Sequence, residues 1–438
     1  MKQQFFKYVS QNVAGMIGVS VYILADTFFI SVASGANGIT VLNLALPIYG
    51  LIFAIGAMIG VGSATRFAIK KAQGQKDIDF YFTQAILWDG ILSIPFMLLG
   101  IFIPEQVLRI MGADAVIMEL GKSYVRIFMT ATPLFMMNYA FTSFARNDNA
   151  PTIAMIGSIL GSLFNIVFDY LFMFPMGLGL TGAALATVCS PLVTSLVCCV
   201  HYFGEKNHVR FKWKLPSARQ LFSCCGLGVS AFVGEMSSAV TTVIFNTLIL
   251  GMAGNVGVAA YGVVANLSLI AMAIFNGISQ GVQPLISRYY GYGRQNDVRK
   301  LLRLGIGMAL IAEGIIVFAA WGFTDSLAGI FNSEGNKTLL YYAHDGLRLY
   351  FLGYLFAGIN ILLVGYFSAT ARAKEAFLAS VLRGALAIAV FAIVMSKIWG
   401  MNGVWLSFLA SEIVTFFVIV IMFWKDKTDK VYSMNMNS

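Results

Sequence analysis

The chain has 438 residues, of which 58% are hydrophobic and only 11% are charged. Soluble domains carry roughly 25% charged residues, so the composition excludes a water-soluble globular protein and indicates one that crosses a membrane many times. The formal net charge is +9, and its placement along the chain carries more information than its sum.

Twelve membrane-spanning helices are predicted, because the apolar runs are long and unbroken and each reaches the length of about 20 residues that a spanning helix needs. The strands of a membrane β-barrel would instead give short alternating segments. The first run is too long for the apolar core of a signal peptide, so we interpret it as a retained first span. The predicted spans cover residues 8–34, 38–66, 80–103, 119–145, 152–175, 180–204, 221–251, 255–288, 301–323, 339–371, 375–398 and 402–424.

Lysine and arginine are concentrated in every second loop. They are frequent at 66–76, 206–219 and 288–303, whereas the loops at 35–37 and 176–179 have none. Cytoplasmic loops carry such an excess, so we expect both termini to face the cytoplasm. Because topology explains the basic loops, they do not indicate a nucleic-acid partner.

The two halves of the sequence resemble each other. Residues 38–62 resemble 257–281, with Gly62 and Gly281 at matching places, and GLTGAALAT (179–187) resembles WGMNGVWLS (399–407). Two six-helix halves in the same orientation imply a pseudo-two-fold axis along the membrane normal and are typical of secondary transporters. We therefore expect an N-lobe at 1–205, a cytoplasmic linker at 206–219, a C-lobe at 220–424 and a cytoplasmic tail at 425–438.

Acidic residues inside the predicted spans are the main candidates for function. A charge at the bilayer centre costs about 2.5–3.5 kcal/mol on insertion scales, so such a residue usually faces the protein interior and is used there. The alternative is an acid that has no transport role and is satisfied by hydrogen bonds between helices. Arg383 or a span end could satisfy Asp89, Glu313 and Glu412 in this way. The acids are Asp26, Asp169, Glu235, Asp89, Glu313 and Glu412.

Asp169 has the most informative neighbours. Asn165 precedes it by one helical turn, so both side chains lie on one helix face. Thr187 in the next span lies among small residues that allow helices to approach closely. Carboxylate, amide and hydroxyl oxygens suit a hard monovalent cation or a proton shared among acceptors.

Several stretches of the chain together resemble a known family. They are ADTFFIS (25–31), NIVFDY (165–170), GLTGAALAT (179–187), GEMSSAVTTVIFN (234–246), VAAYGVVANL (258–267), GVQPLISRYYG (281–291) and FSATARAKEA (367–376). In this order, on twelve spans, they resemble the multidrug and toxic compound extrusion (MATE) family of the multidrug/oligosaccharidyl-lipid/polysaccharide exporter superfamily. The stretch in span 7 especially resembles the bacterial branch related to the staphylococcal multidrug exporter.

The resemblance implies an all-α fold, with two six-helix bundles that form a V around a central cavity. It also implies a cation site for Na⁺ or H⁺ at Asp26, Asn165, Asp169 and Thr187. Glu235 matches a family acid in span 7 and is expected to attract a cationic substrate or to titrate with it. Where one branch of the family has a further acid in span 10, this chain has Asn360, and this departure weakens the expectation of a C-lobe cation site. Glu235 and Asn360 are together the candidates for the substrate cavity or a second titratable site.

The leading interpretation is a secondary active multidrug exporter of the bacterial inner membrane. It would act as a monomer without a cofactor, and antiport of Na⁺ or H⁺ would drive efflux of lipophilic cationic drugs or dyes. The alternative is a lipid-linked oligosaccharide flippase of the same superfamily, but the intramembrane residues lean acidic, which favours cationic substrates. An enzyme is not expected, because the sequence has neither a Walker-type GxxxxGK[ST] motif nor HExxH.

Overall fold

A computed structural model describes residues 1–75, 78–204, 207–330 and 336–435 of the chain. The predicted lobe boundary at 205–206, the basic residue Lys76 and the side chains of the predicted tail lie outside the described part. The described residues form helices joined by short loops, and no β-strand occurs among them. The prediction of an all-α membrane fold is confirmed.

Eight helices among the described residues are long and apolar enough to cross a membrane. One of them, Ala218–Gly291, has 74 residues and would be about 110 Å long if straight, far more than the hydrocarbon core of about 30 Å. It is broken at Gly254, whose φ of 61° lies in the left-handed region that favours glycine. Ala373–Trp424 is divided in the same way at Gly400, with φ 58°.

Two of the predicted spans are interrupted rather than continuous. Lys337–Phe351 and Tyr354–Ala369 meet at an angle of 47° and cross as one bent span. Ala115–Thr130 and Thr132–Asn147 occupy the fourth position and are separated at Ala131, ahead of Pro133, which cannot donate a backbone hydrogen bond. The predicted count of twelve holds when this last pair is taken as one span.

The spans are numbered 1 to 12 in chain order, and the short helices Pro104–Ile110 and Thr324–Ile330 follow spans 3 and 9. The spans are Lys2–Gly35, Asn37–Ala72, Phe80–Phe102, Ala115–Thr130 with Thr132–Asn147, Pro151–Met173, Gly179–Tyr202, 218–253, 255–291, Gln295–Gly322, Lys337–Phe351 with Tyr354–Ala369, 373–399 and 401–424.

Each half of the chain has its own buried apolar core. One cluster of buried side chains runs from Ile30 to Val209, and another from Phe245 to Phe408. The start of span 1 crosses between them, because Phe5 and Val9 belong to the second cluster. The division into lobes at 206–219 stays a prediction, but the cores follow the two halves of the sequence.

Glycines bring span 1 of the first half against span 8 of the second. A Cβ at Gly277 would lie 2.6 Å from the Cα of Val13, and a Cβ at Gly281 would lie 2.7 Å from the Cα of Val9. A larger side chain at either glycine would push the two backbones apart. These contacts lie at the membrane face where the basic loops are found, which is called the basic face below.

An equivalent crossing joins spans 2 and 7 at the same face. Gly62 packs on the carbonyl oxygen of Cys224, and Gly228 packs on the carbonyl oxygen of Met58. Nearby, the guanidinium of Arg66 donates hydrogen bonds to the carbonyl oxygen and the hydroxyl of Ser223, at 2.8 and 2.6 Å. The halves of the chain are therefore in close contact at the basic face.

Asp148, in the loop between spans 4 and 5, anchors the N-lobe side of the basic face. Its carboxylate accepts hydrogen bonds from Lys71 Nζ at 2.6 Å, from His201 Nε2 at 2.9 Å and from the backbone N–H of His208 at 2.8 Å. Burial alone would raise the pKa of Asp148, but these hydrogen bonds outweigh it and hold the pKa below the ordinary value. The ionised carboxylate thus ties together span 2, span 6 and the segment after span 6.

Substituting Gly228→Ala on span 7 is expected to loosen the basic face. The added Cβ would meet the carbonyl oxygen of Met58, and overpacking of this kind costs about 1–3 kcal/mol. The measurement is the rate of disulfide formation between cysteines introduced at Thr65 and Gln283, whose side chains are hydrogen-bonded across the two halves at 3.2 Å. The five native cysteines are replaced beforehand, and we expect the rate to fall.

Gly234→Ala is the matched control, because Gly234 lies on the same helix and a Cβ there would meet no atom within 4 Å. Its cross-linking rate should equal that of the unsubstituted chain. Equal rates in the two alanine variants would show that the crossing of spans 2 and 7 does not hold the basic face closed.

Candidate cation site

The candidate site is formed where small residues let spans 1, 5 and 6 approach closely. A Cβ at Gly15 would lie 3.6 Å from Ser158 Cβ, and one at Gly18 would lie 3.6 Å from Ser162 Oγ. Spans 1 and 5 are therefore in parallel register, with partners about 143 positions apart in the chain. Extending that register by two helical turns beyond Gly18 places Asp26 opposite Asp169.

Asp26 and Asp169 face each other in this register. Their carboxyl groups are close enough to interact directly, and their exposed fractions are 8% and 0%. Among the described residues, neither oxygen of Asp169 nor Oδ1 of Asp26 has a hydrogen-bond partner. Two carboxyl groups in contact at a buried site cannot both be ionised unless a cation lies between them. The pair therefore suits a shared proton or a bound metal cation.

Asn165 on span 5 and Thr187 on span 6 are the neutral polar residues predicted for the site. Asn165 is fully buried one turn before Asp169, and its amide oxygen and nitrogen have no hydrogen-bond partner among the described residues. The Thr187 hydroxyl donates to the carbonyl oxygen of Ala183 at 2.9 Å, so the lone pairs on its oxygen stay available as ligands. The described residues contain no group of three or more His, Cys, Asp or Glu side chains placed to hold a metal, so a metal ion here would also need the amide and hydroxyl oxygens.

Sequence reasoning missed Tyr22, which also belongs to this region. It precedes Asp26 by one turn on span 1 and lies within electrostatic range of Asp26, Asp169 and Glu235. The one-turn spacing in YILAD (22–26) is the signal that could have indicated it. Tyr22 is therefore near both the acid pair and Glu235 on span 7.

Glu235 lies between the two halves of the chain. The hydroxyl of Tyr139 on span 4 donates a hydrogen bond to Glu235 Oε1 on span 7 at 3.1 Å. The Tyr139 ring centroid is 6.3 Å from that of Phe53, which is 5.6 Å from that of Phe135. A carboxylate beside aromatic faces suits an organic cation, and no local pattern in the sequence pointed to Tyr139.

The remaining acids are placed differently. Glu313 Oε1 accepts a hydrogen bond from the backbone N–H of Ile359 at 2.9 Å. Glu412 is ion-paired with Arg383. Asp89 is fully buried on span 3, and neither of its oxygens has a hydrogen-bond partner among the described residues.

The structure places Asn360 with Glu412 rather than with Glu235. Asn360 is fully buried, and its amide nitrogen donates to the Glu412 carboxylate at 2.7 Å. Asn360 therefore offers a substrate no exposed surface, although the sequence had grouped it with Glu235 as a candidate for the cavity or a second titratable site.

Comparisons of the sequence indicate relatedness over most of the chain. A model of the MatE family matches residues 13–171 and 231–394. Multidrug export protein MepA of Staphylococcus aureus (strain MSSA476) is 27% identical over 399 residues, which cover 90% of this chain and 86% of that protein. The protein of the same name from Staphylococcus saprophyticus is 26% identical with the same coverage.

Comparisons of the structure agree on the fold. A structure described as the outward-facing conformation of a multidrug resistance MATE family transporter has a TM-score of 0.89 and 20% identity, over 96% of this chain and 94% of that one. A crystal structure of MATE in the straight conformation gives 0.89 at 20% identity over 98% and 97%, and the bent conformation gives 0.86 at 20% identity with the same coverage. At these identities the similarity establishes the fold alone.

Asp169→Asn is expected to abolish stabilisation of the protein by the cation that the acid pair binds. A ligand that binds only the folded state stabilises it by mass action, by about 2.7 kcal/mol at 100 times its Kd. The measurement is the melting temperature of purified protein in detergent, with and without Na⁺ and across a series of pH values. The variant should also melt higher than the unsubstituted protein in Na⁺-free buffer at high pH, because the facing carboxylates no longer repel each other.

Asp89→Asn is the control, since it removes another fully buried acid whose oxygens have no partner among the described residues. We expect this variant to retain the cation response. An Asp169→Asn protein that responds to Na⁺ and pH like the unsubstituted chain would contradict the assignment of the site.

Proposed function

The chain belongs to the MatE family, and on that premise we propose that it exports lipophilic organic cations in exchange for inward-moving Na⁺ or H⁺. It is a multi-pass membrane protein and a multidrug efflux transporter of the MATE type. The observation that carries the proposal is the facing pair of Asp26 and Asp169, which have no hydrogen-bonding counter-charge among the described residues.

The driving ion binds at the acid pair. A proton or Na⁺ between the two carboxyl groups removes their repulsion, and the oxygens of Asn165 and Thr187 complete the ligand set for Na⁺. One positive charge moving inward across 100 mV supplies about 2.3 kcal/mol, before any concentration gradient is counted. Ion binding at the acid pair therefore couples the free energy of the ion gradient to the protein.

The organic cation binds at Glu235. In the structure this carboxylate accepts its hydrogen bond from Tyr139 on the opposite half of the chain. An organic cation that reaches Glu235 competes with the Tyr139 hydroxyl and gains the neighbouring aromatic faces in return. Substrate binding therefore changes a contact between the two halves, so it acts on the equilibrium between conformations.

Coupling follows from competition between two positive charges. A ligand shifts a conformational equilibrium only by its differential affinity for the two states. A cation bound at Asp26 and Asp169 makes the electrostatic potential around Tyr22 and Glu235 less negative. The affinity of Glu235 for the organic cation therefore falls. By linkage, the organic cation weakens ion binding to the same extent.

The alternative substrate class, a lipid-linked oligosaccharide, fits the site less well. Such a substrate carries a pyrophosphate, which the carboxylates of Asp26, Asp169 and Glu235 would repel. We therefore favour small lipophilic cations as substrates. Location in the bacterial cell membrane with both termini in the cytoplasm, and action as a monomer, remain part of the proposal.

The proposal is tested by efflux of a fluorescent lipophilic cation from proteoliposomes under separately imposed Na⁺ and pH gradients. We expect efflux to follow at least one gradient in the unsubstituted protein and to lose that dependence in Asp169→Asn, while the dye still binds. Efflux that depends on neither gradient would refute antiport.

Glu235→Gln is expected to weaken dye binding about tenfold or more, which corresponds to about 1.4 kcal/mol, because the organic cation loses its counter-charge. The measurement is dye binding to purified protein by fluorescence anisotropy, and the cation response of the melting temperature should be retained. Tyr139→Phe is the matched control: it keeps the ring and the Glu235 charge but removes the competing hydroxyl, so affinity should stay equal or rise. Equal losses in the two variants would contradict the role of the Glu235 charge.

A further inference from the structure

A buried polar cluster in the C-lobe contains a permanent positive charge. Glu412 on span 12 is 1% exposed. Arg383 Nε on span 11 lies 2.8 Å from its Oε1 and 3.1 Å from its Oε2. Asn360 on span 10 donates its amide nitrogen to Glu412 Oε2 at 2.7 Å and to the Glu412 carbonyl oxygen at 2.8 Å. The carboxylate is thus satisfied by one cationic and one neutral partner.

This cluster lies on spans 10, 11 and 12, and its residues do not align with those of the N-lobe site: an offset of 220 pairs Asp169 with Ala389 and Glu412 with Leu192. The repeat aligns 179–187 with 399–407, so spans 11 and 12 are the counterparts of spans 5 and 6. Ser407 is the counterpart of Thr187, and Glu412 follows Ser407 by five residues, less than two turns. Each lobe nevertheless has a buried acid and a buried amide side chain near the interface of its last two spans.

The two clusters differ in how their acids are satisfied. Asp26 and Asp169 have carboxylate oxygens without a hydrogen-bond partner among the described residues. In the C-lobe cluster, both oxygens of Glu412 contact a guanidinium. The N-lobe pair needs a cation from outside, whereas the C-lobe acid has one that is part of the chain.

The local structure of span 11 fixes the position of this guanidinium. Arg383 lies in a π-helical turn, Leu382–Leu386, a distortion that is frequent at functional sites. Gly384 in that turn packs against the hydroxyl of Ser237 on span 7, so a larger residue would displace the turn. Ser411 Oγ lies 3.5 Å from the Arg383 carbonyl oxygen. The Arg383 side chain is only 14% exposed.

We propose that the Arg383 guanidinium is a tethered cation that permanently occupies the buried acid cluster of the C-lobe. The protein then couples export to a single exchangeable cation, the one at Asp26 and Asp169. An arginine side chain stays protonated in proteins and cannot leave its site, so the C-lobe cluster cannot load and unload during a transport cycle. This inference rests on the proposed function of the N-lobe pair.

Other charged groups do not take over this role. Glu313 on span 9 lies near Glu412. The backbone N–H of Ile359 donates to its Oε1 at 2.9 Å, while its Oε2 has no hydrogen-bond partner among the described residues. Met272 on span 8 meets Arg383 Nη2 only through its sulfur, at 3.9 Å. Glu412 is therefore the carboxylate that a loss of Arg383 would leave without a counter-charge.

The test uses Asp169→Asn as the background, in which the N-lobe response is removed. Adding Arg383→Gln leaves Glu412 without its counter-charge, and we expect the melting temperature to become dependent on Na⁺ or on pH again. Adding Glu412→Gln as a third substitution should abolish the regained response. Arg383→Lys in the same background keeps the tethered charge and should show no response.

A folded Asp169→Asn/Arg383→Gln protein without any cation response would overturn the inference. A second measurement does not depend on that variant folding: the number of ²²Na⁺ ions or protons bound per chain of the unsubstituted protein. One per chain, lost in Asp169→Asn, is expected, and two per chain, with one remaining in Asp169→Asn, would overturn the tethered cation. Cation binding that Asp169→Asn leaves unchanged would instead refute the N-lobe assignment in the proposed function.

Discussion

The carboxyl groups of Asp26 and Asp169 meet inside an apolar helix bundle, with oxygens that find no hydrogen-bond donor among the described residues. A charge buried in a membrane protein is costly, and two of like sign in contact are more costly still. The arrangement becomes favourable when a cation joins it. Span 1 packs in register on span 5 through Gly15 and Gly18, so the fold brings the two acids together.

Span 1 also links this pair to the closure of the basic face. Its first turns pack on Gly277 and Gly281 of span 8, in the other half of the chain, and Asp26 lies further along the same helix. The pseudo-two-fold axis relates the crossing of spans 1 and 8 to the crossing of spans 2 and 7. Gly62 and Gly281, one from each crossing, are matching positions in the repeat. Span 1 therefore carries part of the ion site and also a contact between the two halves of the chain. This double role is the physical basis of the proposed coupling.

The sequence predicted those features that leave a local or periodic trace. Apolar runs predicted the membrane-spanning all-α fold, and acids within them marked Asp26 and Asp169 as candidates. It did not predict that span 4 breaks at Ala131, because the same residues also read as one apolar helix. It missed the partners of Glu235 and Asn360, since Tyr139 and Glu412 come from distant spans. Lateral pairing between helices depends on packing, which a single sequence does not display, and the binding of a cation at the site stays a prediction.

The central claim is that at neutral pH the facing carboxyl groups are not both ionised unless a cation lies between them. Infrared difference spectroscopy of the protein in membranes tests it directly, with Asp26→Asn and Asp169→Asn used to assign the carboxyl bands. In Na⁺-free buffer at neutral pH we expect a protonated carboxyl band from this pair. If the site binds Na⁺, the band disappears when Na⁺ is added. If the site binds only protons, the band responds to pH and not to Na⁺. Two fully ionised carboxylates in the absence of Na⁺ would contradict the account.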